Sequence, residues 1–101
     1  MTPTRTQLVQ LGRIARAVLD CSDVRQLYAG PTGRIASVTP TGRLIGLLLQ
    51  GRTLTVGVIA GPDIATHQVA VSVRAAVQPM IPDPVSIAVV VSSASLRHAN
   101  F

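Results

Sequence analysis

A nine-residue interval between arginines limits what the middle of this chain can form. Arg25, Arg34, Arg43 and Arg52 follow one another at this spacing, and glycine precedes the last three. Glycine beside an exposed cation is typical of a turn, and turns roughly every 8–12 residues are typical of short antiparallel strands. A calcium-binding β-roll has a similar period but needs repeated aspartates, which the repeat lacks. The interval therefore predicts a meander of three or four strands.

The strands of this meander differ in their patterns. From Thr53 to Ala60, apolar and mixed residues alternate, which predicts a strand with one buried face. The segment Leu44–Leu49 is apolar on both sides, which predicts a central strand. Because consecutive strands of a meander are antiparallel, successive arginines are expected at alternating ends of the sheet. Arg25 and Arg43 would then share one end, and Arg34 and Arg52 the other.

The N-terminal segment predicts an amphipathic helix from Thr4 to about Leu19. Thr4 and Gln7 have the spacing of a capping box, and Arg13 and Arg16 lie on the polar face. The apolar residues recur at helical spacing. They are Leu8, Leu11, Ile14, Ala15, Val18 and Leu19.

A second helix is predicted after the last strand of the meander, opening at Gly61-Pro62-Asp63 with proline in its first turn. Its proposed apolar face is Ala65, Val69, Ser72, Val73, Ala76, Val77 and Met80. Pro79, Pro82 and Pro84 end this helix, and alternation over residues 85–92 predicts a final strand. Residues from Leu96 to Phe101 read as a frayed tail.

The order of elements predicts an α+β fold: a helix, a three- to four-stranded mainly antiparallel meander, a second helix and a final strand. Both helices are expected on one face of the sheet. We expect a single domain over residues 1–101, structured over about residues 4–93 with a tail at 94–101.

The charge of the chain resembles that of a nucleic-acid-binding protein. The net charge is +5, yet only 13% of residues are charged and all nine cations are arginine. The predicted elements spread these arginines over helix backs and turns, whereas phosphate binding needs cations on one surface. The two aromatic residues, Tyr28 and Phe101, offer little for base stacking. Nucleic acid is therefore not the expected partner, and the charge is interpreted as favouring solubility.

Several classes of protein are excluded by composition. Uncharged stretches such as Val85–Leu96 are shorter than a membrane span requires. The N-terminus does not have the pattern of a secretory signal, so a cytoplasmic location is expected. A single cysteine, Cys21, forms no internal disulfide and no multi-cysteine zinc site.

The residues that could carry chemistry are few. Cys21 with His67 or His98 could supply a nucleophile and a base, but no spacing links them. The four aspartates, Asp20, Asp23, Asp63 and Asp83, lie near helix ends or between prolines, where each has a structural role. We therefore predict no catalytic, cofactor-binding or metal-binding residues, no cofactor, no small-molecule substrate and no enzyme.

One motif supports an alternative. Gly30-Pro31-Thr32-Gly33 matches the GxxG loop that clamps nucleic acid in K-homology domains. In that fold the loop joins two helices, whereas here it lies between predicted strands. A small basic RNA- or ribosome-associated domain of K-homology-like type is thus the alternative function.

Two further motifs resemble a known family. Val24-Arg-Gln-Leu-Tyr-Ala-Gly30 follows the first helix, and Val69-Ala-Val-Ser-Val-Arg-Ala-Ala-Val77 forms the second. With Gly33–Ala36 and the valine-rich strands Thr55–Ile59 and Val85–Val91, this order resembles the alkaline shock protein family of small envelope-stress domains, in its short actinobacterial form. The resemblance covers about four-fifths of the chain.

The resemblance implies a non-catalytic cytoplasmic interaction or scaffold protein linked to cell-envelope or alkaline stress. It also implies a location at the inner face of the cell membrane through a separate membrane-anchor protein. Gln68 stands where family members commonly have Glu, so a partner contact made by that acid is not expected here.

Self-association is expected from the apolar residues of the sheet. Ile59, Val90, Ala88 and Gly57 lie on the predicted outer face, and a monomer would need to cover such a patch or the sheet edge. The expected assembly is a homo-oligomer.

Overall fold

The computed structural model describes residues 5–39, 42–81 and 85–93. Helix α1 spans Arg5–Leu19. Five strands follow it: β1 Val24–Leu27, β2 Ala36–Thr39, β3 Gly42–Ile45, β4 Leu47–Gln50 and β5 Thr53–Ala60. Helix α2 spans Thr66–Val77 and is continued by a 3₁₀ turn, Gln78–Met80. Strand β6, Ser86–Ser93, comes last among the described elements.

Strand β5 is the centre of a four-stranded sheet. Along one edge it pairs antiparallel with β4 at its N-terminal half and with β1 at its C-terminal half. Along the other edge it pairs in parallel with the whole of β6. Strands β2 and β3 form a separate antiparallel hairpin. The predicted α+β class with a mainly antiparallel sheet is confirmed.

Both helices cover the same face of this sheet, as the sequence predicts. Alternation along β5 directs Leu54, Val56, Val58 and Ala60 to the helices, and each is at most 1% exposed. The helices contribute Leu11, Ile14, Ala15 and Val18 from α1 and Val69, Val73 and Val77 from α2. These residues form one continuous apolar core.

The parallel pairing of β5 with β6 follows from the helix between them. Parallel strands need a crossover connection, and α2 is long enough to supply it while its valines face the sheet. The register pairs Leu54 with Ile87 and Val58 with Val91, so the apolar residues of β6 extend the helix-covered face.

The predicted central strand at Leu44–Leu49 is wrong. Gly46 has φ of +95°, a conformation that side-chain-bearing residues rarely adopt, and it divides the segment into β3 and β4. The two halves belong to different sheets. The apolar run therefore marks a change of layer, and β5 is the central strand.

The predicted start of the second helix is also wrong. Gly61-Pro62-Asp63 forms a turn that precedes α2, and Asp63 adopts a left-handed φ of +63°. The helix begins at Thr66, so Ala65 is its exposed N-cap and not part of the core. Burial on α2 is confined to the central valines of the predicted face.

Some sequence predictions concern residues that the structure does not describe. Thr4 of the capping box, Pro82, Pro84 and the tail from residue 94 lie outside the described residues. Within the described ranges, neither helix has the length and apolarity needed to cross a lipid bilayer.

The second face of the sheet, opposite the helices, is covered and not open. The chain after β1 crosses this face, so that a Cβ atom on Gly57 would overlap the carbonyl oxygen of Tyr28. The Cδ1 of Ile35 would lie 3.3 Å from the same Cβ atom. Ile59 on this face is 3% exposed. The expected outer patch is therefore wrong for Ile59 and Gly57, which are buried.

Candidate interaction surface

The cysteine singled out by sequence lies between the two helices. Cys21 is partly buried, and its thiol is directed at two backbone carbonyl groups, those of Ala17 at 3.6 Å and Ser72 at 4.0 Å. His67 is an exposed residue of the first turn of α2. The structure therefore shows the Cys21 thiol hydrogen-bonded to main chain, and His98 lies outside the described residues.

The surroundings of Cys21 also lower its reactivity. Burial raises the pKa of the thiol, and the negative charges of Asp23 and then Asp20 raise it further. Because the thiolate is the nucleophilic form, a raised pKa leaves Cys21 protonated and weakly nucleophilic at neutral pH. This arrangement suits a packing residue.

The acidic residues do not assemble into a metal site among the described residues. No group of three or more His, Cys, Asp or Glu side chains there could hold a metal ion. Asp23 is 9% exposed, and its backbone carbonyl accepts a hydrogen bond from Gly61 at 2.9 Å, which ties the start of β1 to the end of β5. Asp63 is exposed in its turn, and Asp83 lies outside the described residues.

The arginines are dispersed, although not in the predicted pairs. Arg25 lies in β1 beside the C-terminal end of β5, and Arg52 lies in the turn at the opposite end. The Nη2 of Arg43 donates a hydrogen bond to the carbonyl of Gly33 at 2.6 Å, so Arg43 lies against the residue that precedes Arg34. The prediction that these two arginines occupy opposite ends is wrong, because the β2–β3 hairpin folds outside the main sheet.

An apolar groove lies between α1 and the strand ends. Its volume is about 80 Å³, and Leu11, Ile14, Leu49, Leu54 and Val85 line it. Pockets that bind small molecules have volumes of roughly 300–1,000 Å³ and a few convergent polar groups. This groove is smaller, and Gln10 is the polar residue of its lining.

The outer edge of β6, the edge that faces away from β5, is the most distinctive surface. The backbone N–H of Ser86 donates to the carbonyl of Arg52 at 2.7 Å, so the main-chain groups of Ser86 point to β5. Successive residues of a strand point in opposite directions, which places the N–H and C=O groups of Ile87, Val89 and Val91 on the outer edge. Among the described residues, no strand pairs with this edge.

A side chain from α2 reaches this outer edge. The Nη2 of Arg74 donates a hydrogen bond to the carbonyl of Ile87 at 3.3 Å. The outer edge of β6 and the adjoining side of α2 at Arg74 form one surface, hereafter the β6–α2 surface.

Sequence reasoning missed this surface as a unit. It predicted β6 and α2 but not the parallel pairing that leaves the valine carbonyls of β6 on an edge. The signal was present, since residues 86–93 contain no charge and no proline. Edge strands usually carry charged residues or prolines, which prevent pairing with another chain.

The chain matches no protein-family model, no curated protein and no solved structure.

Proposed function

We infer that this protein is a non-catalytic interaction or scaffold domain, which acts by presenting a surface to other protein chains. The observation that carries this inference is the outer edge of β6, an eight-residue strand without charge or proline. Soluble monomers usually blunt such edges with charges, prolines or bulges. An edge left without them is suited to strand pairing with another chain.

The surroundings of the candidate nucleophile support the same inference. The Cys21 thiol is held by backbone carbonyls and has a raised pKa. The groove beside α1 is small and lined mainly by aliphatic side chains. In an interaction domain, both the Cys21 thiol and the groove need only to contribute to packing.

The biological setting is proposed from the resemblance. The segments Val24–Gly30 and Val69–Val77 resemble the alkaline shock protein family, whose members are cytoplasmic and linked to cell-envelope stress. We assign this chain to the same setting, including a membrane-anchor protein as a partner at the inner face of the membrane. In the fold, the first segment contains β1 and the second forms most of α2.

Self-association is the first test of the proposed function. Sedimentation velocity from about 5 to 500 µM should give a mass that rises from the 10.5 kDa of one chain toward a multiple of it. A mass that stays at one chain over the whole range would overturn self-association. The stress link requires the amount of this protein in its host to rise after an alkaline shift or cell-wall damage, and constant amounts would contradict it.

The alternative function, RNA binding, is favoured by one observation. Arg43 lies against the turn that contains Gly33 and Arg34, so two exposed arginines and a GxxG sequence occupy one region. Binding of a labelled single-stranded RNA 20-mer between 50 and 300 mM salt tests this alternative. Phosphate contacts require affinity to fall steeply with salt. No binding at the lowest salt would remove the alternative.

A further inference from the structure

We propose that two copies of this chain pair through β6, antiparallel, about a twofold axis at Val91. This proposal rests on the proposed interaction function and names the partner of the β6–α2 surface. The pairing would join the two four-stranded sheets into one. Because the axis is perpendicular to the sheet, all four helices would cover the same face.

The direction of the main-chain groups sets which residues can pair. Val89, Val91 and Ser93 direct their N–H and C=O groups to the outer edge, by the same alternation that places Ser86 toward β5. With the axis at Val91, this residue pairs with the partner's Val91, and Val89 pairs with the partner's Ser93. Each of these pairs exchanges two backbone hydrogen bonds.

Arg74 selects this register over its neighbour. Its guanidinium already donates a hydrogen bond to the carbonyl of Ile87. An axis at Val89 would require that carbonyl to accept a second hydrogen bond, from the partner's Val91, beside the guanidinium of Arg74. An axis at Val91 uses only the part of the edge beyond Ile87, so the hydrogen bond of Arg74 is kept.

Charge favours a second copy as the occupant. Strand β6 contains no ionisable residue, so two copies of it pair without facing like charges. With the axis at Val91, the two Ile87 residues are eight steps apart, or about 26 Å at ~3.3 Å per residue. The two Arg74 guanidinium groups are separated by a similar distance, which exceeds the screening length of roughly 8 Å in physiological salt.

Disulfide trapping tests the register. In a Cys21→Ser background, Val90→Cys and Ser92→Cys are made separately, because residues 90 and 92 face each other across an axis at Val91. They form a non-hydrogen-bonded pair with Cα atoms about 4.5 Å apart, which is within the range for a disulfide. Mild oxidation of the mixed variants should give a cross-linked heterodimer, and neither variant alone should cross-link efficiently.

The outcomes separate this proposal from the proposed function. Efficient cross-linking of Val90→Cys alone would place the axis at Val90 and overturn the register. A dimer by sedimentation that neither cysteine variant nor their mixture traps would overturn the pairing about Val91 while leaving self-association standing. A monomer at every concentration would overturn both.

Backbone substitution tests the edge itself. Val89→Pro removes an N–H that points outward, so the ladder to β5 keeps its hydrogen bonds. It should weaken dimerisation at least tenfold with the circular dichroism spectrum retained. Val89→Thr keeps both the N–H and the β-branched shape and should change affinity less than threefold. Equal dimerisation by the two variants would contradict the proposal, and the cysteine pairs decide the question if Val89→Pro does not fold.

Discussion

The two faces of the four-stranded sheet are buried by different means. On the helix-covered face, side chains from α1 and α2 interlock with every second residue of β5. On the second face, the main chain after β1 passes directly over Gly57, with the Ile35 side chain beside it. The first face depends on side-chain volume, which many apolar residues can supply. The second depends on the absence of a side chain at a single position.

This difference predicts which substitutions the protein tolerates. Where a face is buried by side chains, a truncated side chain lowers the stability of the fold in proportion to the volume removed. Burial by close main-chain contact fails when volume is added, because backbone atoms cannot move aside as a flexible side chain can.

Gly57→Val should be the most damaging single substitution. A Cβ atom there overlaps the backbone carbonyl oxygen of Tyr28. The position of Tyr28 is fixed by its backbone N–H, which donates to the carbonyl of Gly57 at 2.8 Å. The expected cost is more than about 4 kcal/mol of unfolding free energy, measured by urea denaturation followed by circular dichroism. Gly12→Ala is the control, since Gly12 is exposed in α1 with no atom near its added Cβ. It should stabilise by up to about 1 kcal/mol. Similar losses for both would refute the main-chain contact.

Truncation of a core side chain should cost more stability on the helix-covered face than on the second face. This is the reverse of the order expected when volume is added. Leu54 is 1% exposed within the helix-covered core, whereas Ile35 is 9% exposed over the second face. Leu54→Ala should cost about 3 kcal/mol and Ile35→Ala about 2 kcal/mol, because the cavity at Leu54 is more enclosed. The same denaturation series measures both. A larger loss at Ile35 would mean that the second face holds more of the stability than its burial indicates.

Ser37→Ala should have a smaller effect, confined to the hairpin. The Oγ of Ser37 donates to the carbonyl of Leu47 at 2.7 Å and joins the β2–β3 hairpin to the main sheet. Loss of this buried hydrogen bond should cost about 1 kcal/mol. Amide hydrogen exchange should accelerate in β2 and β3 before β5. Ser22→Ala, at an exposed position, is the control, and faster exchange in β5 as well would show that the hairpin is not a separate unit.

The smallest expected effect is the pH dependence from Cys21, which packs beside the helix-covered face. Burial, Asp23 and Asp20 raise the pKa of its thiol in the folded protein. As pH rises through the ordinary cysteine pKa of about 8.5, the unfolded chain loses this proton first. The unfolded state then binds fewer protons, so stability falls with increasing pH.

The Cys21→Ala variant isolates this contribution. The difference in unfolding free energy between the wild type and this variant should shift against the wild type between pH 7 and pH 10. A difference that is independent of pH would show that the thiol has the same pKa in both states.

The elements that bury side chains could be predicted from the sequence. The periodicity of α1, the alternation in β5 and the valines of α2 each identify a residue whose side chain must leave water. The structure buries Val18, Val56 and Val73 completely, as those patterns require. The α+β class and the placement of both helices on one face follow from the same signals.

The candidate surface was not predictable in the same way. Sequence alone shows that β6 is uncharged, but whether that strand is central or at an edge depends on whether another strand pairs with its far side. Helix α2 returns the chain parallel to β5, and no described strand pairs with the other edge of β6. The contact of Arg74 with Ile87 exists only after this crossover has formed.

Periodicity and alternation identify which residues leave water, because they record the side-chain directions of helices and strands. The course of the main chain follows from tertiary contacts. They divide the apolar run at Gly46, bring Arg43 beside the Gly33 turn and pass Tyr28 over Gly57. Each of these features depends on a contact to a backbone group, and hydrogen bonding by the main chain is common to nearly all residues, so it leaves little trace in the order of side chains.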